Sequence, residues 1–540
     1  MPGPRPPADT RRFPLPLLAL LVFAVALALY RAGMAPGLLW GDSAEMQILA
    51  GIGGVAHPTG YPLFILVAQV FTHATGLPPD LAANLVSGVF AAGTLALLVT
   101  FLVRRGVSAI AAVGAAIAWG LSFTFWSTAQ RAEVYSLATF VAVGALWCTL
   151  IAIEQGRASA RLAAGLLLGL TLTAHMAFGP FVAVAGLVLA WRVPRATARW
   201  FTDEVLLLTA FLVGLSPYLY LEWADAHGHG LSYLRLVELA QWPLGDVPVT
   251  FLEPLERFRW LLLGQNVYPP VHVAPTLRGL AKNLSDITFL FGAFEFGLVG
   301  CVLAWLGARA GWESQRRETA LLLVQFAASV LFTLVLSWGK IIAIFLIPAF
   351  LVFTWFVAHG LDGLVLWWNA RPRARAAALL LLLLPLLGAL TAHALRVEAY
   401  THPFGPLRSR VLEEDDLPQH RLVPTMADVR EPRAFVESVA HAIPDSSLVI
   451  AEWREFMALL YLQQVEHRRT DLTVHPVGYP KLLLKVAEWQ THRDLTHHPI
   501  VAVSSLETLR PHLGAVDTLV FSTGQRGIVT YEPLDTTRVD

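Results

Sequence analysis

Between Leu38 and Phe64 the chain reads LLWGDSAEMQILAGIGGVAHPTGYPLF. Two acids, Asp42 and Glu45, and one histidine, His57, stand here directly after a long apolar run. Acids in this position are typical either of a helix cap or of a functional site. The rest of the sequence decides what kind of protein surrounds them.

The composition indicates a membrane protein. Of the 540 residues, 56% are hydrophobic and only 14% are charged, and the mean hydropathy is +0.58. These values exclude a soluble globular protein of this length. Both cysteines, Cys148 and Cys301, lie inside apolar runs, so no disulfide framework is expected.

Apolar runs predict a polytopic α-helical protein with about eleven transmembrane helices, since a bilayer core needs about 17–25 apolar residues per crossing. Leu63–Thr75 is shorter and is predicted to be interfacial or re-entrant. Arg161–Arg192 is predicted to form a short hairpin, with one long helix as the alternative. The predicted crossings are Phe13–Tyr30, Leu81–Val103, Ser108–Phe125, Val134–Ile153, Leu162–Ala174, Phe181–Trp191, Val205–Leu221, Ile287–Leu306, Ala320–Ser337, Ile341–His359 and Ala376–Leu395.

Basic clusters fall on every second connection between these runs, and such clusters mark the cytoplasmic side. The amino terminus is therefore predicted to be cytoplasmic and the carboxyl terminus to be outside, in an integral protein of a bacterial inner membrane. The clusters are Arg11 and Arg12, Arg104 and Arg105, Arg157 and Arg161, Arg192 to Arg199, Arg309 to Arg317, and Arg371 to Arg375.

Two parts of the chain differ in composition. Residues 1–399 are predicted to be the membrane domain, with a first outer loop at residues 34–80. Residues 400–540 contain β-like runs such as SLVIAEW and TLVFST that alternate with helical stretches such as REFMALLYLQQV. This alternation predicts a small extracytoplasmic α/β domain.

Polar residues of the predicted outer connections are expected to meet on one side of the membrane. Ionisable groups at membrane level are costly and tend to line a site, so their convergence predicts a cavity at the outer face. The candidate residues are Asp42, Glu45, His57, Tyr61, Arg131, Glu133, Tyr135, His175 and Lys340.

All of these residues except Tyr135 also have a purely structural interpretation, which the sequence leaves open. These interpretations are a capping box with Asp42 as N-cap and Glu45 at the third helical position, a turn at residues 57–62, a surface pair of Arg131 with Glu133, a hydrogen-bonded core histidine at His175, and a snorkelling anchor at Lys340.

The chain resembles a known family through three motifs in order: GDSAEMQ…GVAHPTGYPLF, LAANLVSGVFAAGTLALL and FWSTAQRAEVYSL, within residues 38–173. The family consists of multi-pass proteins related to protein O-mannosyltransferases and includes an animal endoplasmic-reticulum enzyme that acts on plexin-type receptors. The resemblance implies a GT-C fold and an inverting glycosyltransferase of the cell envelope. Its donor would be a sugar on polyprenyl phosphate, and its acceptor a hydroxyl of a protein, lipid or glycan, with nucleic acid not among the partners.

Carried onto this chain, the family's acidic catalytic position falls on Asp42, with Glu45 as its companion. The O-mannosyltransferases proper have adjacent acids here, whereas these are three residues apart; in a helix that spacing still puts both on one face. Arg131 and Lys340 are expected to stabilise the leaving phosphate, and the other candidates to bind donor or substrate. No obligatory cofactor is expected, although paired carboxylates could hold a divalent cation.

Two other functions are compatible with the sequence. In a transporter or lipid flippase, Asp42, Glu45 and His175 would form an ion relay. In a non-catalytic assembly partner, the external domain would bind cell-envelope polymers. The position of the acids in a long outer loop, and not in mid-span, favours the enzyme.

Overall fold

The structure is a computed structural model, which describes residues 14–191, 200–239, 243–244, 247–248, 254–264, 276–336, 343–370, 380–401, 421–476, 500–504, 518–522 and 529–533. The first half of the membrane part is almost entirely helical. Its helices are α1 Leu15–Gly33, α2 Gly41–Ile52, α3 Pro62–Thr75, α4 Pro79–Arg104, α5 Ala109–Gly120, α6 Phe123–Thr128, α7 Tyr135–Gln155, α8 Ala158–Ala174, α9 Gly179–Trp191 and α10 Trp200–Gly214.

The second half continues in the same way. Its helices are α11 Tyr218–His227, α12 Tyr233–Leu239, α13 Pro254–Leu263, α14 Leu277–Phe289, α15 Gly297–Ser314, α16 Arg316–Leu336, α17 Ile347–Asn369 and α18 Leu383–Thr401. Two short pairings join the connections, β1 Gly54–Val55 with β2 Leu231–Ser232 in parallel, and β3 Pro243–Leu244 with β4 Val247–Pro248 antiparallel.

The membrane assignment is confirmed. Among the described residues, seven helical segments are long and apolar enough to cross a bilayer. A bent pair of helices makes an eighth span if its two arms cross as one unit. Shorter apolar helices occupy the other predicted positions, so the number of crossings stays a prediction. The seven segments are Leu15–Gly33, Pro79–Arg104, Tyr135–Gln155, Phe201–His227, Arg316–Val335, Ala343–Asn369 and Leu380–Ala399.

The predicted span at Ile287–Leu306 is bent in the structure, and whether it crosses the bilayer as one span stays a prediction. A π-helical turn at Leu290–Glu295 ends the first arm, and the second arm leaves it at 106°. Gly297 follows the break with φ +68°, and a Cβ there would lie 2.9 Å from the carbonyl oxygen of Gly388 on α18. Only a glycine fits this backbone conformation and this close contact.

The segment Arg161–Arg192 contains two helices, α8 and α9. His175 between them is extended, with φ −163° and ψ 125°, and a single 3₁₀ turn, Met176–Phe178, follows it. One long helix, the alternative considered for this segment, is therefore excluded. α3 is a separate helix of 14 residues, too short for a comfortable crossing.

Glycines let the backbones of neighbouring membrane helices come into direct contact. A Cβ on Gly307 of α15 would lie 1.9 Å from the carbonyl oxygen of Phe356, and one on Gly360 of α17 would lie 2.0 Å from that of Leu303. Close packing of this kind is a main source of helix association in lipid, where the hydrophobic effect contributes little.

The carboxyl-terminal part is an α/β unit. Its helices are α19 Glu431–Ala442 and α20 Trp453–Gln464, and its strands are β5 Leu448–Ala451, β6 Thr473–Pro476, β7 Ile500–Ser504, β8 Thr518–Ser522 and β9 Val529–Pro533. The strand order is β6-β5-β7-β8-β9, with β9 antiparallel to β8 and the other pairs parallel. The boundary at residue 400 stays a prediction.

The helix α2 joins the two parts. It packs against α4 on the membrane side and against α20 of the α/β unit. Trp40, just before α2, lies against Phe435 of α19, with ring centroids 5.2 Å apart. Trp40 and α2 are thus held between the membrane helices and the carboxyl-terminal part.

Candidate active site

Asp42 and Glu45 both lie near the start of α2. The helix N-cap is Trp40, whose carbonyl oxygen accepts a hydrogen bond from Ala44 N at 3.2 Å. The capping-box interpretation, with Asp42 as N-cap, is therefore wrong, because the helix begins before Asp42. The Asp42 side chain is 57% exposed, whereas that of Glu45 is fully buried.

His57 links the two acids. Its backbone N–H donates to Glu45 Oε1 at 2.9 Å, and its Nδ1 hydrogen-bonds Glu45 Oε2. Its Nε2 lies 3.7 Å from Asp42 Oδ2 and 3.2 Å from the hydroxyl oxygen of Tyr61. That hydroxyl already donates its proton to Pro58 O at 2.8 Å, so it accepts from the imidazole.

Both ring nitrogens of His57 are therefore donors, as in a charged imidazolium. Burial lowers the pKa of His57, but the nearby carboxylates of Asp42, Glu45 and Glu133 outweigh burial and raise that pKa to about 9. A buried carboxylate is stable only when paired in this way. Burial raises the pKa of the Glu45 carboxyl, and the charge and hydrogen bonds of His57 oppose that shift. Glu45 and His57 thus form a buried hydrogen-bonded pair beneath the exposed Asp42.

The connection between α6 and α7 adds Arg131 and Glu133. Ser43 Oγ donates to Glu133 Oε1 at 3.2 Å, and Arg131 Nε lies 3.4 Å from the same oxygen. The Glu133 backbone is fixed by Ser87, whose Oγ accepts from its N–H and donates to its carbonyl oxygen. The guanidinium of Arg131 therefore lies in the same group of side chains as α2.

His175 packs among aromatic rings next to this group. Tyr61 stacks on it at 5.3 Å between ring centroids, and Tyr135 lies at 4.9 Å. Its Nδ1 accepts a hydrogen bond from Ala177 N at 2.9 Å, so the proton is on Nε2. Burial, together with the charge of His57, lowers the pKa of His175 to about 3. His175 is thus a neutral hydrogen-bond donor and not a base.

The structure therefore brings together eight of the nine predicted candidates; their roles stay predictions. The ninth, Lys340, lies outside the described residues. Trp126, in the same sequence motif as Arg131, lies against His393 of α18, at 5.9 Å between ring centroids.

Two aromatic residues of this site were missed by sequence reasoning. Trp453 of α20 donates its indole N–H to Asp42 Oδ1 at 2.7 Å. Tyr233 lies between Trp453 and His57, with ring centroids at 5.5 Å and 6.3 Å. The parallel pairing of Gly54 with Leu231 brings Tyr233 to the site. Nothing in the local sequence around either residue signals this role.

A cation could be held by one side-chain group among the described residues. Single ligand atoms of Asp42, Glu45 and His57 all lie within 4.8 Å of one another. Carboxylate oxygens and an imidazole nitrogen suit several divalent ions.

The fold is that of a multi-pass membrane protein and is similar to the GT-C fold. The structure resembles that of ArnT from Cupriavidus metallidurans, crystallised bound to undecaprenyl phosphate, with a TM-score of 0.53 and 12% identity over 93% of this chain and 95% of ArnT. The apo form of ArnT gives a TM-score of 0.55 over the same shares. At this identity the likeness shows the fold alone.

The family resemblance inferred from the sequence is confirmed for the amino-terminal part. Residues 42–195 match the family model of the protein O-mannosyl-transferase TMEM260 N-terminal domain. The mouse protein O-mannosyl-transferase TMEM260 is 30% identical over 236 residues, which are 42% of this chain and 32% of the mouse protein. The match thus spans about a third of that relative's length.

Proposed function

We propose that the protein is a membrane glycosyltransferase that moves mannose from a polyprenyl-phosphate donor to an acceptor hydroxyl, with inversion at the sugar carbon. The observation that carries the proposal is the exposed carboxylate of Asp42 above the buried Glu45–His57 pair. The mannosyl group is proposed from the family model and the mouse relative. The lipid carrier is proposed from ArnT, whose structure holds undecaprenyl phosphate.

In the proposed reaction, Asp42 accepts the proton of the acceptor hydroxyl while the hydroxyl oxygen bonds to the anomeric carbon. The bond from that carbon to the phosphate oxygen breaks on the opposite face, and polyprenyl phosphate leaves with the electron pair. Positioned proton removal contributes roughly 10²–10⁴-fold. Arg131 stabilises the charge that develops on the leaving phosphate, and His57 orients Asp42.

The reaction needs no metal for charge balance near Asp42, because the imidazolium of His57 already offsets part of the carboxylate charge. A divalent cation held by Asp42, Glu45 and His57 would be the alternative electrophile. No obligatory cofactor is therefore part of the proposal.

The function is tested with the full chain in membrane vesicles. Radiolabelled polyprenyl-phosphate mannose and a Ser/Thr-containing peptide are supplied, with and without EDTA. We expect labelled peptide in both conditions. Transfer that stops in EDTA and returns with a divalent ion would assign the metal alternative. A folded protein with no transfer to peptide, lipid or glycan acceptors would favour the transporter or the assembly partner.

We further propose that the site and the carboxyl-terminal unit lie outside the membrane and the amino terminus inside. Reporter fusions at Arg105, Glu222 and Asp540 should read inside, outside and outside, because arginine clusters stay in the cytoplasm. Cytoplasmic readings at both Glu222 and Asp540 would mean that residues 161–192 cross the membrane only once.

A further inference from the structure

The helix α20 reaches the candidate active site from a distant part of the chain. Trp453 is its first residue and follows the carboxyl end of the parallel strand β5. In open α/β sheets, ligands bind beyond the carboxyl ends of the strands. The indole N–H donates to Asp42 Oδ1 at 2.7 Å, across 411 residues of sequence.

This hydrogen bond belongs to an extended contact. The guanidinium of the next residue, Arg454, lies 4.5 Å above the ring of Trp40, and α2 and α20 pack against each other. On the neighbouring helix α19, the guanidinium of Arg433 lies 3.5 Å from the carboxylate of Asp80 at the start of α4. The position of Trp453 is therefore fixed by packing on several sides.

The contact determines how Asp42 is oriented. One carboxylate oxygen, Oδ1, accepts from Trp453, while the other, Oδ2, faces His57 Nε2 at 3.7 Å. A carboxylate has about four lone-pair positions, so two partners fix its plane and leave positions for a substrate proton. The 57% exposure of the side chain keeps those positions open.

The ring of Trp453 also forms one wall beside Asp42. Tyr233 meets it edge to face, with centroids 5.5 Å apart and planes at 78°. Rigid aromatic rings of this kind supply contact area at low entropic cost. An acceptor that brings its hydroxyl to Asp42 would pass this aromatic corner.

We propose that Trp453 is a positioning residue for Asp42 and a wall of the acceptor subsite, so that the carboxyl-terminal unit supplies part of the transfer site. The inference rests on the proposed function. It places the acceptor at the junction between α2 and α20.

Two substitutions distinguish the role of the indole N–H of Trp453 from the role of its aromatic ring. Trp453→Phe removes the donor and keeps an aromatic ring, so we expect kcat to fall roughly tenfold or more, as for the loss of a hydrogen bond to a charged group. The KM values of polyprenyl-phosphate mannose and peptide should not change. Trp453→Ala also removes the wall, so the peptide KM should rise as well. Trp367→Phe, an exposed tryptophan of α17, is the matched control and should behave like the unmodified protein.

A double variant shows whether Trp453 acts through Asp42. In the Asp42→Asn background, Trp453→Phe should change the residual rate by less than about twofold, because coupled residues are non-additive. The same roughly tenfold loss in both backgrounds would assign Trp453 a merely structural role and overturn the inference, as would an unchanged kcat in Trp453→Phe. If the unmodified protein transfers no sugar, the proposed function itself fails.

Discussion

Asp42→Asn is expected to lower sugar transfer by roughly two or more orders of magnitude, the contribution of a positioned base. Asparagine keeps a side-chain oxygen that can accept the Trp453 N–H but is not basic. Because Trp40 and not Asp42 caps α2, the substitution removes no cap. The protein should therefore accumulate normally in the membrane and bind its lipid donor. Single-turnover transfer from preloaded donor measures the effect.

Two companion variants make the result specific. Glu45→Gln should lose less activity than Asp42→Asn, because the amide oxygen still accepts from His57 N while Asp42 stays intact. Asp445→Asn replaces a carboxylate that is 96% exposed and pairs with Arg469 at 3.6 Å, and it should have no effect. Normal transfer by Asp42→Asn would remove the catalytic assignment and most of the case for an enzyme.

Arg131→Ala is expected to lower kcat/KM for the lipid donor by roughly 10- to 100-fold, the loss that corresponds to a charge-assisted hydrogen bond. The fall should come from donor use, with the peptide KM unchanged. Donor saturation curves in vesicles measure it. Arg131→Lys should recover only part of the loss, because lysine keeps the charge but not the planar fork of donors.

The control for this prediction is Arg309→Ala, since Arg309 is exposed and pairs with Glu313 of its own helix. Removal of Arg131 also takes a cation from beside Glu133, so thermal stability is followed in parallel. Glu133→Gln, which keeps an oxygen for Ser43, should restore any lost stability without restoring donor use. Unchanged donor saturation in Arg131→Ala would move the phosphate role to Lys340.

Much of the membrane part could be predicted, because a bilayer core demands long apolar helices and the sequence shows them directly. The break after Glu295 could not, since both arms are apolar. It depends on the contact of Gly297 with Gly388, a distant residue on another helix. The strands β5 to β8 were visible as short β-branched runs, but their order in the sheet follows from packing that no local pattern records.

The residues of the candidate site could also be predicted only in part. Asp42, Glu45 and His57 could be singled out because charged groups are rare in this chain, and the family motif joins them. The first turn of α2 was misjudged, because GDSAE matches a capping box while the helix begins at Gly41, with Trp40 as its N-cap. Trp453 and Tyr233 looked like ordinary aromatic residues, and only the folded chain shows that they lie beside an acid.

The separation of Asp42 and Trp453 has a consequence for biosynthesis. A ribosome adds about 5–20 residues per second, so the 411 residues between them take roughly 20–80 s to make. During that interval α2 has already been made, but the carboxylate of Asp42 has no indole partner. A nascent chain that is still being inserted therefore lacks the complete site, which forms only when α20 has been translated and has docked on α2.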